Sequence, residues 1–298
     1  MINIDNSYTI LNDVLRGRKP KFKVIKDGKI YIYKYGAING EIYAELIAEQ
    51  IGLQIGIDMA HYEIATYQDT LGVLTPSFLK PSELIISSDN LKSNIQNIYN
   101  ENNISFDLSN NTISNIVKAA SLHDPRVKVK SLSLALMLRW VFYGLIMECD
   151  KNETNIAFIR GKNTLRLTPD YDNSSMACLN KNISNILDSL RQGYSIYNIT
   201  DDLKSNLRTC ETDTGFFLQD FENFVKKHPL QAEYCMDKLK QVDVDLAIEI
   251  VEKNNSIEIP WEIKYWVSKL INTRLLDMQT IYNMNIGTQR MTLKKVNI

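Results

Sequence analysis

At 298 residues and 34.3 kDa the chain exceeds one typical compact unit, so two lobes or one large domain is expected. Hydrophobic residues make up 44% and charged ones 23%, with 12 Gly and 7 Pro, which excludes collagen-like, Pro-rich and wholly disordered classes. The 34 Lys and Arg nearly cancel the 35 Asp and Glu, so no global field gathers nucleic acid or an anionic membrane, and any electrostatic function is local.

Met1 to Tyr8 lacks a basic segment followed by an apolar run, so no secretory signal is read there. The cysteines Cys149, Cys178, Cys210 and Cys235 are too sparse for a disulfide framework and form no metal motif. Both features point to a cytoplasmic protein. Residues 22–34 alternate and are rich in Val, Ile and Tyr, which predicts a hairpin turning at Asp27-Gly28, with Lys34 ending its second strand. After a loop bracketed by Gly36 and Gly40, the spacing of Ile42, Leu46, Ile47 and Ile51 predicts a helix closed by Gly52. Strands at 60–67 and 72–79, with a turn at Gln68-Asp69, complete a small mixed lobe.

The stretch 87–115 is rich in Asn, Ser and Asp and reads as a surface insertion with one short helix. The apolar run from Ser131 to Met147 is short for a bilayer and carries Arg139 at its centre, so it predicts a buried core helix. Further helices are expected at 183–191, 216–227, 231–240, 246–253 and 261–284. The expected division is an N-lobe at 1–76, a hinge at 77–84 and a mainly helical C-lobe at 85–298.

The segment following the buried helix is the richest in chemistry. Asp150 and Asn155 lie five positions apart in a loop that leads into an apolar strand. A second strand, Thr164 to Leu167, then runs into Pro169-Asp170-Tyr171-Asp172-Asn173. Phosphoryl transfer from ATP needs one carboxylate to orient the attacking hydroxyl, with an amide oxygen and a second carboxylate to hold Mg²⁺. Lys34 is the candidate phosphate-binding cation, because it ends a strand and precedes a helix whose Glu41 or Glu45 would hold it by an ion pair. The order Lys, Glu, Asp-x4-Asn, Asp is that of kinase-like folds.

Over residues 14–280 these motifs resemble the HipA-like serine/threonine kinases. Gly17-Arg18-Lys19-Pro20-Lys21-Phe22 is similar to that family's GxxPKF loop, Tyr33-Lys34 to its strand lysine, and Gly40-Glu41 with LIAEQIG to its following helix. Asp150-x4-Asn155 is similar to its catalytic loop, Leu167-Thr168-Pro169-Asp170-Tyr171-Asp172 to its metal motif, and Ile259-Pro260-x13-Arg274, more loosely, to its C-terminal helices. The resemblance implies a two-lobed α+β kinase-like fold, with Mg²⁺ and ATP as cofactors and a protein Ser/Thr hydroxyl as acceptor. It implies catalytic roles for Asp150, Lys34 and Glu41, with Asn155 and Asp172 as metal ligands. It places Gly17, Lys21 and Lys34 at the phosphates, Tyr171 beside the nucleotide, and the Pro76 carbonyl and Phe78 amide at the adenine.

Three departures accompany the resemblance. Val14 stands where the family often has a self-phosphorylated serine, and the common catalytic-loop histidine is replaced by neighbours Asn152 and Glu153. Residues 1–13 alone precede the matched region, so the expectation is a stand-alone kinase without the extra subdomain through which larger members meet a DNA-binding antitoxin; an antitoxin-like regulator remains the partner the family suggests.

Other readings stand beside this one. The set Asp-x4-Asn followed by Asp170-Tyr171-Asp172 also suits a small-molecule phosphotransferase of the aminoglycoside or choline kinase type, or a nucleotide-binding interaction module without turnover. The basic run from Arg16 to Lys34 admits a nucleic-acid patch, but a phosphate-facing loop and solvated strand lysines explain it better. Asp170 reads as a solvated neighbour, and His61, His123, His228 and the Trp261, Tyr265, Trp266 cluster as ordinary surface or packing residues.

Overall fold

The structure is a computed structural model describing residues 1–5, 7–11, 19–35, 39–102, 107–108, 110, 112–148, 150–151, 154–200, 207–209 and 213–296, with residues 39, 200 and 287–296 described by backbone alone. Gly17 and Val14 therefore lie outside the described residues, as do Cys149, Asn152, Glu153 and Cys210. In chain order the first elements are β1 (Ile2–Asn3), β2 (Thr9–Leu11), β3 (Lys21–Lys26), β4 (Lys29–Tyr35), α1 (Asn39–Gln54), β5 (Glu63–Tyr67) and β6 (Thr70–Pro76). Next come β7 (Leu84–Ser87), α2 (Ser88–Glu101), α3 (Ile113–His123), α4 (Val129–Ile146), β8 (Ala157–Arg160), β9 (Leu165–Leu167) and a 3-10 turn at Met176–Cys178. The remainder is helical: α5 (Ile183–Arg191), α6 (Ile196–Thr200), α7 (Phe217–Lys227), α8 (Pro229–Leu239), α9 (Val244–Asn255) and α10 (Trp261–Val296).

Internal contacts divide the chain into two compact units. Unit 1 gathers Met1–Lys80, Pro169–Ile199 and Asp243–Lys269; unit 2 gathers Pro81–Thr168, Thr200–Val242 and Leu270–Ile298.

Unit 1 is built on a six-stranded sheet of order β1-β5-β6-β4-β3-β2, with β1 parallel to β5 and the other pairs antiparallel. Both predicted hairpin turns are present. Asp27 and Gly28 (φ 50° and 72°) and Gln68 and Asp69 (φ 46° and 58°) occupy the left-handed region that two-residue hairpin turns require. Alternation along β4 sends Tyr31, Tyr33 and Tyr35 to one face, where they pack around Val24, Ala65 and Leu74. Lys34 therefore points to the opposite face.

Helix α1 does not stop at Gly52. It continues to Gln54 and closes at Gly56 (φ 81°), where the Ile57 amide donates to the Gly52 carbonyl and the Gly56 amide to Leu53. This is the double hydrogen bond of a Schellman cap, and the glycine with the left-handed φ is the one that ends the helix. Gly52 instead admits Met59, whose side chain occupies the space a Cβ would fill. Gln54 also exchanges two hydrogen bonds with the backbone of Asp243, the residue that caps α9.

Unit 2 carries a three-stranded sheet of order β7-β8-β9 and a helical core around α4. Leu136 and Leu138–Ile146 are buried, as the apolar run predicts. The helix is long and apolar enough to span a membrane by length and composition, but its Arg139 is buried and donates to the Thr168 carbonyl at 2.6 Å. A buried guanidinium bonded inside the unit is a core feature.

The stretch 87–115 departs from the expected surface insertion with one short helix. Ser87 caps α2, a helix of 14 residues that buries Leu91 and Ile95 and packs on α3. Leu91 and Ile95 are four residues apart on one face, and the intervening Asn and Ser dilute that stripe in the composition.

Candidate active site

In unit 1 the site starts from helix α1, where Glu41, Glu45 and Glu49 follow one another at intervals of four and so share a face. All three are buried. Like charges in that pattern destabilise a helix unless each finds a partner. Each does. Glu41 pairs with Lys19, Glu45 with Lys34 at 2.9 Å, and Glu49 with His61 Nδ1 at 2.7 Å. Of the two partners that the sequence offers Lys34, the structure chooses Glu45, while Glu41 is held by Lys19, which also lies 3.5 Å from the Ser174 hydroxyl.

Lys34 makes a second ion pair, donating to Asp172 Oδ1 at 2.5 Å. Burial opposes its charge, but Glu45 and Asp172 outweigh that effect and raise its pKa above the ordinary lysine value. Lys34 is a fixed cation throughout the physiological range. Directly opposite it on β3 stands Lys21. Burial lowers the Lys21 pKa, Asp172 and Glu45 work against that, and Lys34 adds to it; no ion pair neutralises Lys21 among the described residues.

The segment 170–174 is held from three sides. The Asp170 amide donates to the Asp58 carbonyl at 2.7 Å, and the Ala60 amide donates to the Asp170 carbonyl at 2.8 Å. The Asp170 side chain is buried and accepts from Asn173 Nδ2 at 3.0 Å, so Asp170 is an internal anchor and not the solvated neighbour expected from its position. Asp172 has φ 62°, a left-handed conformation that aspartate tolerates, and its amide donates to the Tyr62 hydroxyl at 3.2 Å. The Asn173 amide donates to Glu45 Oε2 at 2.8 Å. Glu45 thus binds Lys34 with one oxygen and the Asn173 amide with the other.

Pro76 ends β6 opposite Tyr31, and the Phe78 ring lies 5.9 Å from that of Tyr171. The segment read as the adenine hinge and the metal motif therefore touch within this unit. Gly40, at the start of α1, faces the Leu179 carbonyl so closely that a Cβ would collide with it. Glycine is required there by a neighbouring backbone, not by its own dihedral angles.

In unit 2 the predicted catalytic loop leaves α4 through Met147, whose left-handed φ of 58° ends the helix. Buried Glu148 accepts from the Asp150 amide at 2.9 Å, and Asn155 Nδ2 donates to the Asp150 carbonyl at 2.8 Å. Lys151 is buried with its ammonium 5.1 Å from the Tyr143 ring centre, anchoring the loop beside the exposed Asp150. The Asp150 carboxylate has no ion pair and Asn155 Oδ1 no hydrogen bond among the described residues.

Sequence reasoning missed Glu49, Tyr62, Asn173 and the anchoring of Asp170. The repeat of glutamate every four residues in α1 was the available signal for Glu49; the others are set by contacts between distant segments. Cys178 and Cys235 are buried, and burial pushes the Cys235 thiol up to about 12, as suits an inert filler. Among the described residues no three His, Cys, Asp or Glu side chains cluster as a metal cage.

No protein-family model matches the sequence, and no curated protein sequence matches it. Solved structures do. The proinflammatory kinase CtkA of Helicobacter pylori matches with a TM-score of 0.75 at 14% identity, over 97% of this chain and 99% of that one. HipA of the Shewanella oneidensis MR-1 toxin–antitoxin system, solved with HipB and operator DNA, matches with a TM-score of 0.57 at 13% identity, over 95% of this chain and 66% of that one. The chain therefore has a kinase-like fold related to that of HipA and CtkA.

Proposed function

We propose that the protein is an ATP-dependent kinase that transfers the γ-phosphoryl group to a serine or threonine hydroxyl of another protein. The observation that carries this reading is the pairing of Lys21 with Lys34 on adjacent strands, with Lys34 clamped between Glu45 and Asp172. Two lysines directly opposite each other destabilise a sheet, and a polyphosphate is the ligand that turns the repulsion into binding.

The roles follow from the residues. Lys34 and Lys21 neutralise the phosphates, with Gly17 of the GxxPKF-like motif as their proposed neighbour; the Pro76 carbonyl and Phe78 amide meet the adenine beside Tyr171. Glu41 acts through Lys19, not through Lys34. Asp150 accepts the acceptor's hydroxyl proton as the oxygen forms its bond to the γ-phosphorus. The bond from that phosphorus to the β-bridging oxygen breaks, and ADP leaves with the electron pair. The Asn155 amide oxygen and the Asp172 carboxylate are hard oxygen donors that fit Mg²⁺, whose charge would offset that developing on the phosphates.

Incubation with γ-labelled ATP and a cell extract tests the reading. Label should enter protein, and Asp150→Asn should lower incorporation about a hundredfold or more. Label in small molecules alone would move the assignment to a small-molecule phosphotransferase. Equal ATP consumption by wild type and Asp150→Asn would leave a nucleotide-binding module without turnover.

A further inference from the structure

Unit 2 contains a cavity of about 440 Å³ between the C-terminal end of α3 and the β8–β9 turn. It is lined by His123, Asp124, Arg126, Arg160, Lys162 and Thr164, among others. Asp124 is engaged completely: its Oδ1 accepts from the Arg126 amide at 3.1 Å and from Nε at 2.8 Å, and its Oδ2 from Nη2 at 2.9 Å. The nearby Glu83 carboxylate is held by Arg166 at 3.1 Å. Arg160 and Lys162 are exposed and have no ion pair or side-chain hydrogen bond among the described residues. In a chain of net charge -1, this pocket keeps two cations unneutralised while the carboxylate in its lining, Asp124, is already paired.

We infer that this pocket recognises a phosphate monoester carried on a protein segment, through Arg160 and Lys162. A guanidinium fork matches two phosphate oxygens, and an ammonium adds a second charge, so together they balance one dianion. Thr164 adds a hydroxyl to the same lining. A nucleic-acid strand is the poorer fit. It needs a continuous basic track and aromatic platforms, whereas the lining contains no Phe, Tyr or Trp and is flanked by Asp124 and Glu83. The site goes beyond the phosphotransfer reading, since it would select a partner already phosphorylated.

Fluorescence anisotropy with a labelled Gly/Ala peptide bearing one phosphoserine, beside its unphosphorylated twin, tests the proposal on the full chain. The phosphopeptide should bind about tenfold tighter or better. The preference should vanish in Arg160→Ala/Lys162→Ala and survive in Lys34→Ala, which separates this pocket from the proposed ATP site. Inorganic phosphate should compete. Equal binding of the two peptides, or a preference retained by the double variant, overturns the proposal. A single-stranded oligonucleotide that displaces the peptide at lower concentration than inorganic phosphate would also overturn it, in favour of nucleic acid. Both positions are exposed, so the circular dichroism spectrum of the double variant should match that of the wild type.

Discussion

Lys21 on β3 and Lys34 on β4 stand directly opposite each other, and of the two Lys34 alone has ion-pair partners among the described residues. Their substitutions should therefore act in opposite directions on stability. Lys21→Met removes a half-buried charge and a cross-strand repulsion, and should stabilise the ligand-free protein by up to about 1 kcal/mol. Lys34→Met leaves Glu45 buried without its cation and should cost about 3 kcal/mol. Urea unfolding measures both. Shifts of the same sign would remove the electrostatic argument for a phosphate site. Both variants should raise KM for ATP.

Glu45 and Glu41 sit one turn apart, yet their partners differ in burial. Lys34 is largely buried, whereas the Lys19 side chain is 32% exposed. A pair near solvent contributes little, about 1 kcal/mol or less. Glu45→Gln should lower kcat/KM for ATP by about a hundredfold, because it releases both Lys34 and the Asn173 amide. Glu41→Gln should lower it less than about tenfold. Steady-state kinetics with both variants decides, and a larger loss at Glu41 would reverse the assignment.

His61 gives a pH signature. Its hydrogen bond to Glu49 raises its pKa, burial opposes this, and the charges of Glu49 and Glu63 add to the rise. A folded-state pKa above the unfolded value means stability that is fully present below about 6.5, the unfolded value. It is lost as pH rises through the raised folded value. The difference in Tm between wild type and His61→Asn should therefore shrink from pH 5.5 towards pH 8.5. A difference independent of pH would show that the imidazole is not protonated against Glu49.

Gly40→Ala tests the packing of α1 on the 3-10 turn. The new Cβ would meet the Leu179 backbone carbonyl, which cannot rotate aside as a flexible side chain can. Overpacking of this kind costs about 1–3 kcal/mol. Gly28→Ala faces open space but has φ 72°, so its cost comes from backbone strain alone. Denaturant titration of the two variants should show Gly40→Ala also reducing ATP affinity, since α1 carries Glu45; an unchanged affinity would uncouple the helix from the site.

Much of the architecture was legible because it is encoded locally. Period-two alternation around Asp27-Gly28, the unbroken apolar run of α4 and the helical spacing of α7 to α9 each report a choice that neighbouring residues make among themselves. Where local signals competed, reading was harder. Gly52 looked like a helix stop, but the left-handed cap is Gly56; α2 was hidden by its Asn and Ser; and α10 continues past Met284 to Val296.

From the order of its residues alone, the chain specified the β3–β4 hairpin, α1, the buried α4 and the helices α7 to α9, and it offered Lys34, an α1 glutamate, Asp150, Asn155 and Asp172 as candidates for phosphoryl transfer. Tertiary structure alone decided that Glu45 and not Glu41 holds Lys34, that Asp170 is an anchor, and that Asn173 ties the segment 170–174 to α1. The reason is that periodicity places side chains on a face, whereas ion-pair partners depend on which distant segments pack together, and sequence spacing carries no record of that distance.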